Sequence, residues 1–215
     1  MKKRFILIVC VFLVLVFIIK IRETIILYKI FLSINEFRKE NNRYYSVSTR
    51  YENHINSIEK CYLKDNFEKI ILNNNSAGEY CEIKNLLTKE EIAYNVSQKM
   101  KYENQKGLNF QDNLLNIPNI INIDKTNNKS TKMKKILKIH YIIPTTYEGK
   151  KCYKIVTSSE MVIIDKSTYL PVFSTLKTAN SKSKDDKIEY KYEFEVGTVT
   201  DDDIAVPNIS DYKIE

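Results

Sequence analysis

A continuous apolar run from Phe5 to Ile19 stands behind Lys2, Lys3 and Arg4 and ends at Lys20. Beyond it the apolar positions recur with a helical period. Ile21, Ile25, Tyr28 and Leu32 form one stripe, widened by Leu27, Phe31, Ile34 and Phe37. The spacing predicts a helix over 21–40 whose apolar side needs a partner surface. At Tyr44 the period drops to two. Tyr45, Val47, Thr49 and Tyr51 alternate with Tyr44, Ser46, Ser48 and Arg50, the pattern of a strand with one face buried. Residues 58–64 and 67–72 flank Asp65-Asn66, a two-residue hairpin signal, and 79–84 and 90–101 read as further strands. Periodicity dissolves over 102–132, where Leu114, Leu115, Ile117, Ile120 and Ile121 surround Pro118. A loop this long in a compact domain suits a lid or a partner-binding element, with 107–123 the candidate lid. Strands resume over 136–143, ending at Pro144, and follow at 151–157, 161–165 and 170–175. Ile188, Tyr190, Tyr192, Phe194 and Val196 then alternate with Glu189, Lys191, Glu193 and Glu195. About nine strands in serial hairpins with few helices predict a mainly β (α+β) fold. Its one large antiparallel sheet must curl to bury a face, with helix 21–40 filling the concave side.

The opening run has the length of a signal-peptide core as well as that of a short membrane span: roughly 22 Å as a helix, against about 30 Å of hydrocarbon. Its flanks discriminate. Signal cleavage needs small residues, and no Ala, Gly or Ser occurs between Met1 and Leu32. Leu7-Ile8-Val9-Cys10 has the outline of a lipidation signal, but Val9 is bulky where a small residue is required. The preferred reading is therefore an uncleaved signal anchor over 1–20, a single transmembrane helix. Lys2, Lys3 and Arg4 favour a cytoplasmic N-terminus, which puts 21–215 outside the cell as one extracytoplasmic domain.

Charge supports that division. The net charge is +7, from 34 basic and 27 acidic residues. Six of those bases and only one acid precede Ser33, so the outer domain is close to neutral. The basic excess belongs to the anchor, and no nucleic-acid partner is expected. Four cysteines comprise Cys10 in the apolar run and Cys61, Cys81 and Cys152 beyond it. A Cys61–Cys81 disulfide and three free thiols both remain open. With His54 and His140 the only histidines and no C-x-x-C spacing, neither a metal site nor a cofactor is expected. No triad, carboxylate pair or phosphate loop points to a catalytic residue, so the chain reads as a non-enzyme. Asp201-Asp202-Asp203 after Thr200 reads as a capped turn.

Residues 161–172 (MVIIDKSTYLPV), Tyr190-Lys-Tyr-Glu-Phe194 and Thr200-Asp-Asp-Asp-Ile-Ala-Val-Pro-Asn-Ile-Ser210 resemble the C-terminal half of LolA-like envelope proteins of Gram-positive bacteria. Within that family the chain is most similar to the clostridial germination-lipoprotein (GerS-related) group. The resemblance implies a curved, open antiparallel half-barrel around helices, in the lipoprotein-carrier fold. It departs from the family at Tyr169, where the turn usually carries Gly, and in lacking the lipobox. The inward positions of such a half-barrel, Val47, Tyr51, Leu137, Ile139, Tyr190, Tyr192 and Phe194, would either enclose an acyl chain or pack against helix 21–40. Two functions follow. One is a membrane-anchored protein that binds another envelope or spore protein, which the resemblance implies is a peptidoglycan hydrolase. The other is a carrier or sensor of lipid or lipoprotein on the concave face. In both readings residues 5–19 engage the cytoplasmic or spore membrane. A filled concavity separates the first reading from the second.

Overall fold

The structure, a computed structural model, describes residues 2–51, 54–75, 78–102, 118, 139, 141–177 and 187–214. Helix α1, Lys2–Lys39, is a single unbroken element of 38 residues. Neither Gly nor Pro interrupts it, and Arg38 and Lys39 lie in its last turn, where cations suit the helix dipole. It runs through the expected boundary at 20/21, so the apolar run and the helix expected over 21–40 share one rod. It has the length and composition to cross a membrane, and residues 5–22 of it are exposed.

The strands are β1 (Asn42–Tyr51), β2 (His54–Lys64), β3 (Phe67–Asn74), β4 (Gly78–Asn85), β5 (Glu91–Asn95), β6 (Met100–Tyr102), β7 (Tyr141–Tyr147), β8 (Lys150–Val156), β9 (Glu160–Asp165), β10 (Pro171–Lys177), β11 (Lys187–Val196) and β12 (Lys213–Ile214), with a short helix α2 (Asp201–Ile204) before the last. All twelve join one open sheet in the order β12-β6-β5-β4-β3-β2-β1-β11-β10-β9-β8-β7. Every pairing is antiparallel except that of β12 with β6. The fold is thus mainly β, as expected, with more strands than the pattern suggested because 90–101 folds back on itself as β5 and β6 and the C-terminal tail adds β12. Pro144 does not end a strand either. It sits inside β7, opposite Tyr153. An edge strand tolerates Pro, because the missing N–H can belong to the unpaired side.

One face of α1 supplies the core. Glu23, Ile26, Leu27, Ile30, Ile34 and Phe37 are buried, whereas Ile21, Ile25, Tyr28 and Leu32 are exposed. The stripe that the sequence picked out therefore points away from the sheet; Leu27, Ile34 and Phe37 from its margin do the packing, together with Ile26 and Ile30, which the stripe left out. Ile26, Leu27, Ile30, Ile34 and Phe37 form one cluster with Tyr45, Val47, Cys61, Ile70, Ile142, Ile155, Val162, Ile164 and Tyr192. Those partners come from strands running from β3 across to β7. Eight strands at about 4.8 Å spacing would span roughly 34 Å if flat, some three helix diameters. Curling brings them all to a single rod.

The other face of the sheet has its own smaller core. Cys81, Ile83 and Tyr94 are covered there by Ile209 and Tyr212 of the C-terminal tail. Lys64 pairs with Asp201 at 2.6 Å, and Lys69 donates to the Ala205 carbonyl, so the tail crosses the outer face towards β6.

Candidate functional site

Antiparallel register decides what lines the concavity. β1 and β11 pair Tyr45 with Phe194, Val47 with Tyr192, Thr49 with Tyr190 and Tyr51 with Ile188, and these eight share the face towards α1. Val47, Ile139 and Tyr192 are buried in the cluster that contains α1, and Tyr190 and Phe194 are half-buried against it. Phe37 of α1 meets Phe194 edge to face, with ring centroids 5.0 Å apart. Tyr192 stacks between Tyr190 and Phe194, and its hydroxyl lies 2.9 Å from Ser174 Oγ. Tyr51 is half-buried at the far end of β1, and Leu137 lies outside the described residues. Five of the seven expected groove residues therefore pack in the cluster built around α1. The helix occupies the space an acyl chain would need there.

Past the helix the same face turns acidic. Register carries it from Val47 to Glu59, on to Leu72 and, through Leu63, to Glu68. From β3 it passes to Glu82 opposite Ile70 and Lys84 opposite Glu68, and Lys84 in turn faces Glu91. Four glutamates thus line the helix-side face of β2 to β5. Tyr45 donates to Glu59 Oε1 at 3.0 Å, and Lys84 lies 3.7 Å from Glu91. Glu82 is only 6% exposed, and neither its Oε2 nor Oε1 of Glu91 has a hydrogen-bond partner among the described residues. Burial, reinforced by the neighbouring Glu91, pushes the Glu82 carboxyl up to about 7. Burial raises Glu59 as well, against the lowering effect of its bond from Tyr45. Cys61 is raised well above the usual thiol range, first by burial and then by Glu68, which makes it an inert thiol at neutral pH.

This acidic lane was invisible in the sequence. Each glutamate sits among apolar neighbours as an ordinary polar position, and only the cross-strand register stacks them on one face. Lys84 is the amine that register places among them, and Arg43 is spent elsewhere, donating to the Arg38 and Glu40 carbonyls at the end of α1.

The remaining candidates resolve simply. All four cysteines are free. Cys61 and Cys81 could not pair, because Cys61 shares the helix-side face and Cys81 lies on the outer one, next to Glu82. Thr200 caps α2 with a reciprocal bond to Asp203, as the sequence suggests for the acidic triplet. His54 is exposed at the start of β2, and His140 and, apart from Pro118, the 107–123 segment, with most of 102–132, lie outside the described residues. Among the described residues no group of three His, Cys, Asp or Glu side chains could hold a metal ion. On the outer face an open cleft of about 200 Å³ is lined by Tyr44, Tyr62, Glu195, Thr198, Val199 and Asp203. Tyr169 adopts a left-handed backbone with φ 56°, where Gly would be usual. Its ring stacks on Tyr153, with Lys29 of α1 above it.

No family model and no curated protein sequence matches the chain. Among solved structures it is similar to an uncharacterized conserved protein from Thermus thermophilus, at a TM-score of 0.47 and 11% identity, over 90% of this chain and 98% of that one. It is also similar to the MucA/MucB complex structure of Pseudomonas aeruginosa, at a TM-score of 0.42 and 8% identity, over 84% of this chain and 62% of that one. The chain thus spans less than two thirds of that relative. A domain of Vibrio parahaemolyticus described as outer membrane lipoprotein-sorting is similar at a TM-score of 0.26 and 8% identity, over 81% of this chain and 95% of that one.

Proposed function

We propose that this chain is a non-catalytic, membrane-anchored protein whose outward-facing domain binds another protein of the envelope. The observation that carries the reading is the filled concavity: α1 occupies it between β3 and β7, with Ile30 at 1% exposure and Phe37 at 4%. A carrier of acyl chains needs that space empty. Removing α1 from it would expose the apolar floor of the sheet, at roughly 25 cal/mol for each Å² uncovered. With the groove closed, binding falls to surfaces: the acidic lane on β2 to β5, the outer cleft, and the edge of β7, which pairs with no further strand among the described residues and whose Ile142 N–H goes to Glu23. Aligned backbone donors and acceptors on such an edge favour a peptide or strand as the ligand. The finer assignment belongs to the resemblance alone. It makes the chain a germination-lipoprotein-like factor, its context spore germination and its partner a peptidoglycan hydrolase.

The test is native mass spectrometry of the full chain released from its own membrane in mild detergent, followed by organic extraction. A second protein retained at a fixed stoichiometry, with no lipid species held in constant ratio, is the expected result. One lipid species bound one to one, lost on extraction and displacing no protein, overturns the reading in favour of the carrier.

A further inference from the structure

The apolar face of α1 that the sheet leaves open lies where the helix leaves the membrane. Ile21, Ile25 and Tyr28 are 45%, 52% and 60% exposed, all on the side opposite Glu23, Ile26, Ile30 and Phe37. No linker separates them from the apolar run, since α1 is continuous. The run itself is too short. Spanning about 30 Å of hydrocarbon takes about 20 residues, which from Phe5 carries the far boundary to Thr24 and not to Lys20.

A second element is pinned at the same height. The Ile142 N–H of edge strand β7 donates to Glu23 Oε1 at 3.1 Å, and the other carboxylate oxygen of Glu23 takes Lys20 at 2.7 Å. Tyr141 and Ile143 flank Ile142, turn away from the core, and are each 44% exposed. Isolated, each of these exposed residues would be unremarkable. Together they form an apolar collar from two elements at one level, with Lys20, Arg22 and Lys29 interspersed on α1.

From this juxtaposition, and resting on the anchor reading above, we infer that the domain is seated in the outer leaflet of the bilayer. Ile21, Ile25 and Tyr28 of α1 and Tyr141 and Ile143 of β7 enter the interfacial layer, and the exposed Arg22 reaches lipid phosphate, Lys20 and Lys29 being held by Glu23 and Tyr169. The missing length of the span is supplied by this collar rather than by thinning of the bilayer. Tyr at the boundary, flanked by basic side chains, is the chemistry that membrane interfaces select. The occupant is lipid, because the collar is continuous with the membrane-spanning run along one helix and carries the exposed Arg22 beside the boundary. The opposite end of the domain stays in water: the Asp65-Asn66 turn bonds to Asn41 beyond the end of α1, about 24 Å above Glu23 along the helix.

The experiment places an environment-sensitive fluorophore on single cysteines in the full chain carrying Cys10→Ser, the three native thiols of the domain being buried. The sites are Phe12→Cys, Tyr28→Cys, Ile143→Cys and Asn66→Cys, in vesicles of phosphatidylcholine and phosphatidylglycerol containing spin-labelled lipid. The expected result is strong quenching at 12, quenching of about twofold at 28 and 143 by the headgroup-proximal label, and none at 66. Quenching at 12 with none at 28 and 143 overturns the seat and leaves the anchor standing. No quenching at 12 overturns both.

Discussion

Glu82 is the residue whose chemistry departs furthest from what its place in the chain suggests. In the sequence Tyr80-Cys81-Glu82-Ile83 it is the polar member of an alternating strand, and a solvated carboxylate is the natural reading. In the fold it faces the concavity at 6% exposure, beside Glu91, with its carboxyl raised to about 7. The sign of its contribution follows. With the folded-state value above that of the unfolded chain, the native protein holds a proton that the unfolded chain has lost between roughly pH 4.5 and 7. Stability therefore falls as pH rises through that window, and the loss is complete above it. Glu82→Gln removes the titration and keeps the shape. It should gain about 1–3 kcal/mol over the parent at pH 8 and almost nothing at pH 4.5, measured by urea unfolding at the two pH values. A uniform gain at both, or none at pH 8, would show that the carboxylate is solvated. At the other extreme Thr200 behaves as its neighbours imply. Thr200→Ala should cost about 1 kcal/mol at neutral pH through the lost cap on α2, and the cost should shrink as pH falls through the carboxylate range, because the Thr200 hydroxyl holds the Asp203 carboxyl below its usual value, read by the same unfolding experiment.

Among the elements, α1 shows where sequence reading succeeds and where it must stop. Its existence and its place on the concave side were legible, because a helical period in apolar residues is a strong signal, whereas its fusion with the apolar run into one rod crosses the boundary expected at 20/21. Its orientation was not legible. Ile21, Ile25, Tyr28 and Leu32 repeat as regularly as Ile26, Leu27, Ile30, Ile34 and Phe37, and periodicity cannot rank two apolar faces. The sheet chose the face that carries Glu23, whose carboxylate meets the Ile142 N–H and Lys20. Likewise the alternation along β1 and β11 revealed Val47, Tyr192 and Phe194 as inward. The acidic lane depends on register across β2 to β5, which no single strand encodes. A pair of substitutions separates the two faces of the helix. Ile30→Ala, at 1% exposure, should lose about 2–5 kcal/mol of unfolding free energy, whereas Tyr28→Ala should change it by less than about 0.5 kcal/mol in detergent solution. Equal effects would mean that the exposed stripe is packed against something in the isolated protein.

For the molecule as a whole, the shared helix means that the apolar run and the sheet cannot be divided at an arbitrary point. Beginning the chain at Ser33 looks reasonable from the sequence, since the apolar run is then well clear. It would delete Ile26, Leu27 and Ile30 from the central cluster and leave Tyr192, Val162 and Ile155 facing an opened groove. A chain beginning at Lys20 keeps every buried residue of α1 and loses only the exposed apolar run. The two truncations should part sharply. The fragment 20–215 should unfold cooperatively on heating. The fragment 33–215 should keep strand signal in far-ultraviolet circular dichroism while binding an apolar dye and melting without a clear transition, the behaviour of a sheet with no filler. The comparison also bears on function. A cooperative melt of 33–215 at the temperature of 20–215 would show that the sheet stands without the helix. The concavity would then be free to open, and the case for surface binding over a carried ligand would fall with it.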